Sequence, residues 1–182
     1  MILEKFDTEI IEGKKIQVSI RHAIKTDLPM IWENFNSVVR EKCYIPVISE
    51  ITNKYEQDSW FFNQESDNNV VLVAASGDKI LGHCSVEHNA WECSDLVGEL
   101  GILLKKEYRN AIPSIGKHLM ISAIREAKLK GFEKITLSVF QTNQNAIELY
   151  KKVGFKIIGI RKNQFLIEGT YYNEVLMDLF LD

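Results

Sequence analysis

The chain has 182 residues, 46% of them hydrophobic and 26% charged, with a net charge of −3. That balance describes a globular protein of one domain and excludes a nucleic-acid binder held by a broad basic face. The three cysteines, Cys43, Cys84 and Cys93, form no CxxC pair, and the opening "MILEKFDTEI" carries acids where a signal peptide is apolar, so a cytoplasmic protein without a membrane segment is expected.

Residues 1 to 15 carry the weakest pattern; "IIEGKK" reads as a turn, giving a short hairpin or an extension. "KIQVSIRHA" alternates Ile16, Val18 and Ile20 inward as a strand does. Thr26 or Asp27 then caps a helix whose stripe is Leu28, Ile31, Trp32, Phe35, Val38 and Val39. "ISEITNKYEQDSWFF" predicts a second helix ending in Trp60, Phe61 and Phe62. "VVLVAA" and "KILGHCSVEHN" flank "SGDK", a hairpin turn in which Gly77 takes a positive φ.

"LVGELGILL" is another strand, interrupted by Gly98 and Gly101. A helix runs from Ser114 to Lys130 and ends at Gly131, and "KITLSVF" is a β-branched strand. Asn143 caps the short helix "QNAIELYKKV", which Gly154 terminates; "FKIIGI" and "YYNEVLMDLF" close the chain as a strand pair. Strands alternating with crossover helices give a mixed α/β sheet. In such a sheet a ligand is expected where the carboxyl end of a strand meets the amino end of a helix, whose unpaired N–H groups and dipole hold phosphate. "LVGELGILLKKEYRNAIPSIGKHLM" has that layout.

Two stretches, "ELGILLKKEYR" and "TNQNAIELYKKVGF", resemble the GNAT superfamily of N-acetyltransferases. The second matches its Asn-x-x-Ala-x-x-x-Tyr-x-x-x-Gly-Phe pattern at Asn143, Ala146, Tyr150, Gly154 and Phe155. The order of elements extends the resemblance over roughly residues 17 to 180. It implies an α/β domain with a mixed, mostly antiparallel sheet of about seven strands and about four flanking helices. Its central parallel pair, "LVGELGILL" and "KITLSVF", would be splayed by a bulge at Gly98 and Gly101. The tail "GIRKNQFLIEGTYYNEVLMDLF" is similar to members that acetylate small amines or ribosomal-protein N-termini.

The family writes its diphosphate loop Arg/Gln-x-x-Gly-x-Gly, and here Gly116 is the one glycine. One register inserts two residues, setting Ser114 at the other glycine and Ala111 at the Arg/Gln position. The competing register keeps Arg109 first, with Ile112 and Ser114 at the glycine positions and Lys117 turned toward the core. In the first, Ser114 is the N-cap and Ile115, Gly116 and Lys117 present backbone donors, while Pro113 removes one.

The resemblance implies transfer of an acetyl group from acetyl-CoA, a cosubstrate, to a small-molecule amine or a protein N-terminus. Backbone groups of Ile102, Leu103 and Leu104 would hold the pantetheine amides; Asn143, Arg109 and Lys152 would contact the cofactor, Lys152 doing so unless it pairs with Glu148. An alkylamine with a pKa of about 10 is mostly protonated at neutral pH and needs a base. Glu99 is the candidate, unless it is simply a solvated strand glutamate. The departing thiolate needs a proton, and Tyr150 is the candidate acid, unless it is a packed core aromatic. Glu87, Glu92 and Asp95 tilt the acceptor toward a cation. His22, His83, His88 and His118 show no metal spacing, so no metal is expected. A homodimer through the closing strands stays open. Two other readings are an acyl-CoA sensor on the same fold and an unrelated nucleotide binder, the latter lacking any Walker-type loop.

Overall fold

In the computed structural model, residues 1–9, 15–66, 68–88, 91–109 and 113–181 are described. Eight strands form one sheet: β1 (Ile2–Glu9), β2 (Lys15–His22), β3 (Val70–Ser76), β4 (Lys79–His88), β5 (Val97–Leu104), β6 (Lys134–Phe140), β7 (Lys156–Ile167) and β8 (Thr170–Phe180). Their spatial order is β1-β2-β3-β4-β5-β6-β8-β7, and β5–β6 is the parallel pair. The helices are α1 (Leu28–Val39), α2 (Lys54–Ser66), α3 (Lys106–Arg109), α4 (Pro113–Leu129) and α5 (Gln144–Val153). The expected mixed, mostly antiparallel sheet is present, with one more strand and one more short helix than anticipated. The added strand is β1, which pairs with β2 as the outer arm of a hairpin; the turn "IIEGKK" lies mostly outside the described residues.

Local chemistry accounts for the element ends. Asn143 caps α5 by accepting a hydrogen bond from the Ala146 N–H at 3.3 Å, and Gly154 ends it at φ 114°, where a β-carbon would be strained. Asp27 precedes α1 but does not cap forward. Its carboxylate accepts two hydrogen bonds from Arg21, at 2.6 and 2.9 Å, and a third from the Ile24 N–H at 2.9 Å. Burial alone would raise this carboxyl's pKa; Arg21 and the amide outweigh it and hold it below the usual range. The helix therefore begins from an anchored turn.

Alternation on the central strands divides the molecule into two faces. Val86, Leu100, Ile115, Leu119, Met120 and Ile135 belong to a core beneath α4, all buried. On the opposite face α1 packs over β4 and β5. The aromatic trio lies inside α2 and not at its end as expected; Phe61 is buried with Leu28 and Trp32, whereas Phe62 is 68% exposed.

The central pair holds register only over Val97↔Lys134, Gly98↔Ile135 and Glu99↔Thr136, then parts. The splay is present, but the expected bulge is not: β5 pairs with β4 in unbroken register from Gly98↔His88 to Leu104↔Gly82. Close packing explains Gly98 instead. A β-carbon there would lie 2.4 Å from Val86 Cγ1 and 3.1 Å from Phe132 Cδ1.

Candidate active site

The parted strands open a cleft of about 500 Å3 that crosses the sheet and is lined from both faces. On one side stand α4 and α5, with Gly116, Asn143 and Tyr150; on the other stand α1, the segment after it, and the polar face of β4.

Lys105 N–H donates to Leu81 C=O at 3.1 Å, which fixes the phase of the β4–β5 ladder. Alternate residues of an antiparallel strand turn their backbone groups to opposite sides. The N–H and C=O of Leu103 therefore face His83 on β4. Those of Leu100, Ile102 and Leu104 face the gap left by β6. Of the three expected backbone contacts, Ile102 and Leu104 point into the cleft and Leu103 does not. Leu104 C=O accepts a hydrogen bond from Arg109 Nε at 3.2 Å.

α4 begins at Pro113, one residue before the expected start, so Ser114 lies inside the first turn rather than at the cap. Proline suits this first position because its missing N–H has no intrahelical partner to lose. The amides of Ser114 and Ile115 have no partner within the described helix. The Ile115 side chain is buried, Lys117 is exposed, and Ala111 and Ile112 lie outside the described residues. Gly116 is pinched: a β-carbon would meet Leu104 Cδ1 at 3.3 Å and Leu149 Cδ2 at 3.4 Å.

Arg109 lines the cleft. It makes a bidentate ion pair with Glu41, one arm at 3.1 Å, and its guanidinium lies 4.4 Å from the centre of the Tyr44 ring. A guanidinium engaged by a carboxylate, a carbonyl and an aromatic face acts as a structural clamp, and a phosphate would have to share it with Glu41. Lys152 is exposed at the end of α5, and Glu148 pairs with Lys151 at 2.9 Å, not with Lys152.

The two catalytic candidates both line the cleft. Tyr150 is 8% exposed, and burial, with Cys84 nearby, raises its phenol pKa above the ordinary value. It therefore stays protonated throughout the neutral range. Glu99 is exposed and stands directly across the ladder from Glu87. Such a hydrogen-bonded pair sets the two α-carbons about 5.5 Å apart. Glu87 accepts hydrogen bonds from Ser85 Oγ at 2.8 Å and Gln64 Nε2 at 3.0 Å. Asp95 is not among the described residues that line the cleft, and the Glu92 side chain lies outside the described part.

The sequence placed His83 either near the acceptor cleft or as a solvated or core histidine, without a role. It lies on the cleft wall, 6% exposed, with its Nδ1 buried and unpartnered among the described residues. Burial pushes its pKa down to about 4, so the ring is neutral near pH 7. Strand alternation with Ser85 and Glu87 was the available signal. His88, also on β4, tilts against Phe132 on the helix side, with ring centres 4.5 Å apart. No group of three acidic, histidine or cysteine side chains fit to hold a metal occurs among the described residues.

Residues 32–155 match the model of the "Acetyltransferase (GNAT) family". The chain belongs to this family. A Bacillus subtilis (strain 168) protein bearing the provisional name ribosomal protein bS18-alanine N-acetyltransferase is 32% identical over 66% of this chain and 77% of its own length. Spermidine N(1)-acetyltransferase of Escherichia coli (strain K12) is 33% identical over 45% of this chain and 44% of its own. A solved GNAT phosphinothricin acetyltransferase from Sinorhizobium meliloti, in complex with acetyl-CoA, shares the fold. Its TM-score is 0.84 at 19% identity, covering 90% of this chain and 88% of that one. The chain is an acyltransferase of the GNAT family.

Proposed function

We propose that this GNAT protein transfers the acetyl group of acetyl-CoA to a primary amine by direct attack within a ternary complex. The observation that carries the reading is the cleft itself. It runs through the sheet, with unpaired main-chain groups and a helix start on one side and a carboxylate pair on the other.

The residues fit acetyl-CoA as substrate. The cleft-facing backbone of Ile102 and Leu104 suits the amides of the pantetheine arm. The Ser114 and Ile115 amides suit an anionic diphosphate, and pinched Gly116 lets the helix start approach the strand. Asn143, on the cleft wall, caps α5 at the same time. Lys117 and Lys152, both exposed and outside the cleft lining, are the proposed source of positive charge for the phosphates. Acetyl-CoA supplies an activated thioester; the chain supplies position and two proton transfers. Glu99 takes the proton from the ammonium, directly or through water. As the C–N bond forms and the C–S bond breaks, Tyr150 donates its phenolic proton to the departing thiolate, and the second proton shed by the nitrogen passes through water to restore the phenol. Cys43, Cys84 and Cys93 are unpaired, which suits a reducing cytoplasm.

Replacing Tyr150 by Phe keeps the ring and removes the proton. The expected result is a fall in kcat of about a hundredfold with the acetyl-CoA KM little changed. Undiminished kcat in Tyr150→Phe would overturn the assignment of the acid.

A further inference from the structure

The acceptor side of the cleft joins an acidic floor to an apolar roof. Its floor is Ser85, Glu87 and Glu99. Its roof carries Trp32 and Phe35 of α1, Trp60 of α2, and the stretch from Ile45 to Val47. Trp32 is engaged edgewise by both Phe35 and Trp60, at 5.4 Å between ring centres in each case. Among the described lining residues the charged side chains are Glu87, Glu99 and Arg109, and Arg109 is committed to Glu41.

From this arrangement we infer that the acceptor is a small primary monoamine with an aromatic or branched apolar body. The inference rests on the acetyltransferase reading above and specifies its substrate. One ammonium fits between two carboxylates that face each other across a single strand spacing. The carbon body then lies against the roof and leaves water. A free amino acid would bring its own carboxylate within a few bonds of Glu87 and Glu99, where the arginine that would balance it is already occupied. A polyamine would set a second ammonium against Ile45, Pro46 and Val47, which offer it no partner. A peptide N-terminus would bring several amide groups to a wall whose buried, unpartnered polar atoms among the described residues are Trp32 Nε1 and His83 Nδ1, so most of its hydrogen bonds would go unmet.

The test uses the purified full chain with acetyl-CoA and follows thiol release with four acceptors: 2-phenylethylamine, spermidine, L-leucine and a tetrapeptide beginning with alanine. The expected result is a kcat/KM for 2-phenylethylamine at least about tenfold above each of the others. In Glu87→Gln the KM for 2-phenylethylamine rises about tenfold while the acetyl-CoA KM holds. A higher kcat/KM for spermidine, leucine or the peptide overturns the inference and leaves the acetyltransferase reading intact. If calorimetry shows acetyl-CoA bound and none of the four amines is acetylated, the acetyltransferase reading fails and the inference falls with it.

Discussion

At the scale of single residues, two buried titratable side chains set how the site responds to pH. Tyr150 keeps its proton because burial disfavours the phenolate, so the donor role proposed for it would not fade between mild acid and mild base. His83 is the mirror case, a base kept neutral by burial. Its folded pKa is about 4 against an ordinary 6.5, so its contribution to stability is whole above pH 6.5 and is lost as pH falls toward 4. The linked loss is about 3 kcal/mol across that window. Urea titrations of the wild type should show the midpoint falling on acidification from pH 6.5 to 4. In His83→Leu that slope should flatten. An unchanged slope in the variant would contradict the assignment to His83. Its burial was not legible in the sequence, because a histidine between Gly82 and Cys84 reads equally as exposed or covered until α1 is placed above it.

At the scale of elements, the clamp from Arg109 ties the turn after β5 to the segment after α1. It joins residues 68 apart in the chain, and no local pattern could have announced it. Read from sequence spacing, Arg109 belongs to a phosphate loop; in three dimensions Glu41 and Tyr44 claim it. A double-mutant cycle decides between the two roles. For a clamp, Arg109→Ala and Glu41→Ala each raise the amine KM several-fold, the double variant is no worse than either, and acetyl-CoA affinity holds. A loss of acetyl-CoA affinity confined to Arg109→Ala would restore the phosphate role. Gly98 carries a second prediction. An added methyl cannot clear Val86 and Phe132, so Gly98→Ala should destabilise by about 1–3 kcal/mol, read from thermal or urea unfolding. A neutral Gly98→Ala would mean that strand flexibility, not close packing, selects glycine there. By contrast α5 was legible almost to the residue, since cap, amphipathic stripe and terminating glycine are all local signals.

At the scale of the whole molecule, what the sequence showed and what it hid follow one physical division. Strands, helices and their order came from periodicity and turn chemistry within short windows, and the splay of β5 from β6 followed from the resemblance to the family. The position of β1, the orientation of Leu103 and the partner of Arg109 depend on contacts between distant segments, which no window contains. The cleft gathers its function from those distant pieces: main-chain groups of β5, the start of α4, Tyr150 of α5 and the glutamate pair of β4 and β5. In the function proposed, all of them converge on moving an acetyl group. Mass spectrometry of the products after incubating the chain with acetyl-CoA and 2-phenylethylamine tests this most directly. The account predicts N-acetylated amine accumulating in proportion to protein concentration, and strongly reduced with Tyr150→Phe. Unmodified amine beside fully bound acetyl-CoA would contradict it, and the fold would then serve to bind the thioester rather than to spend it.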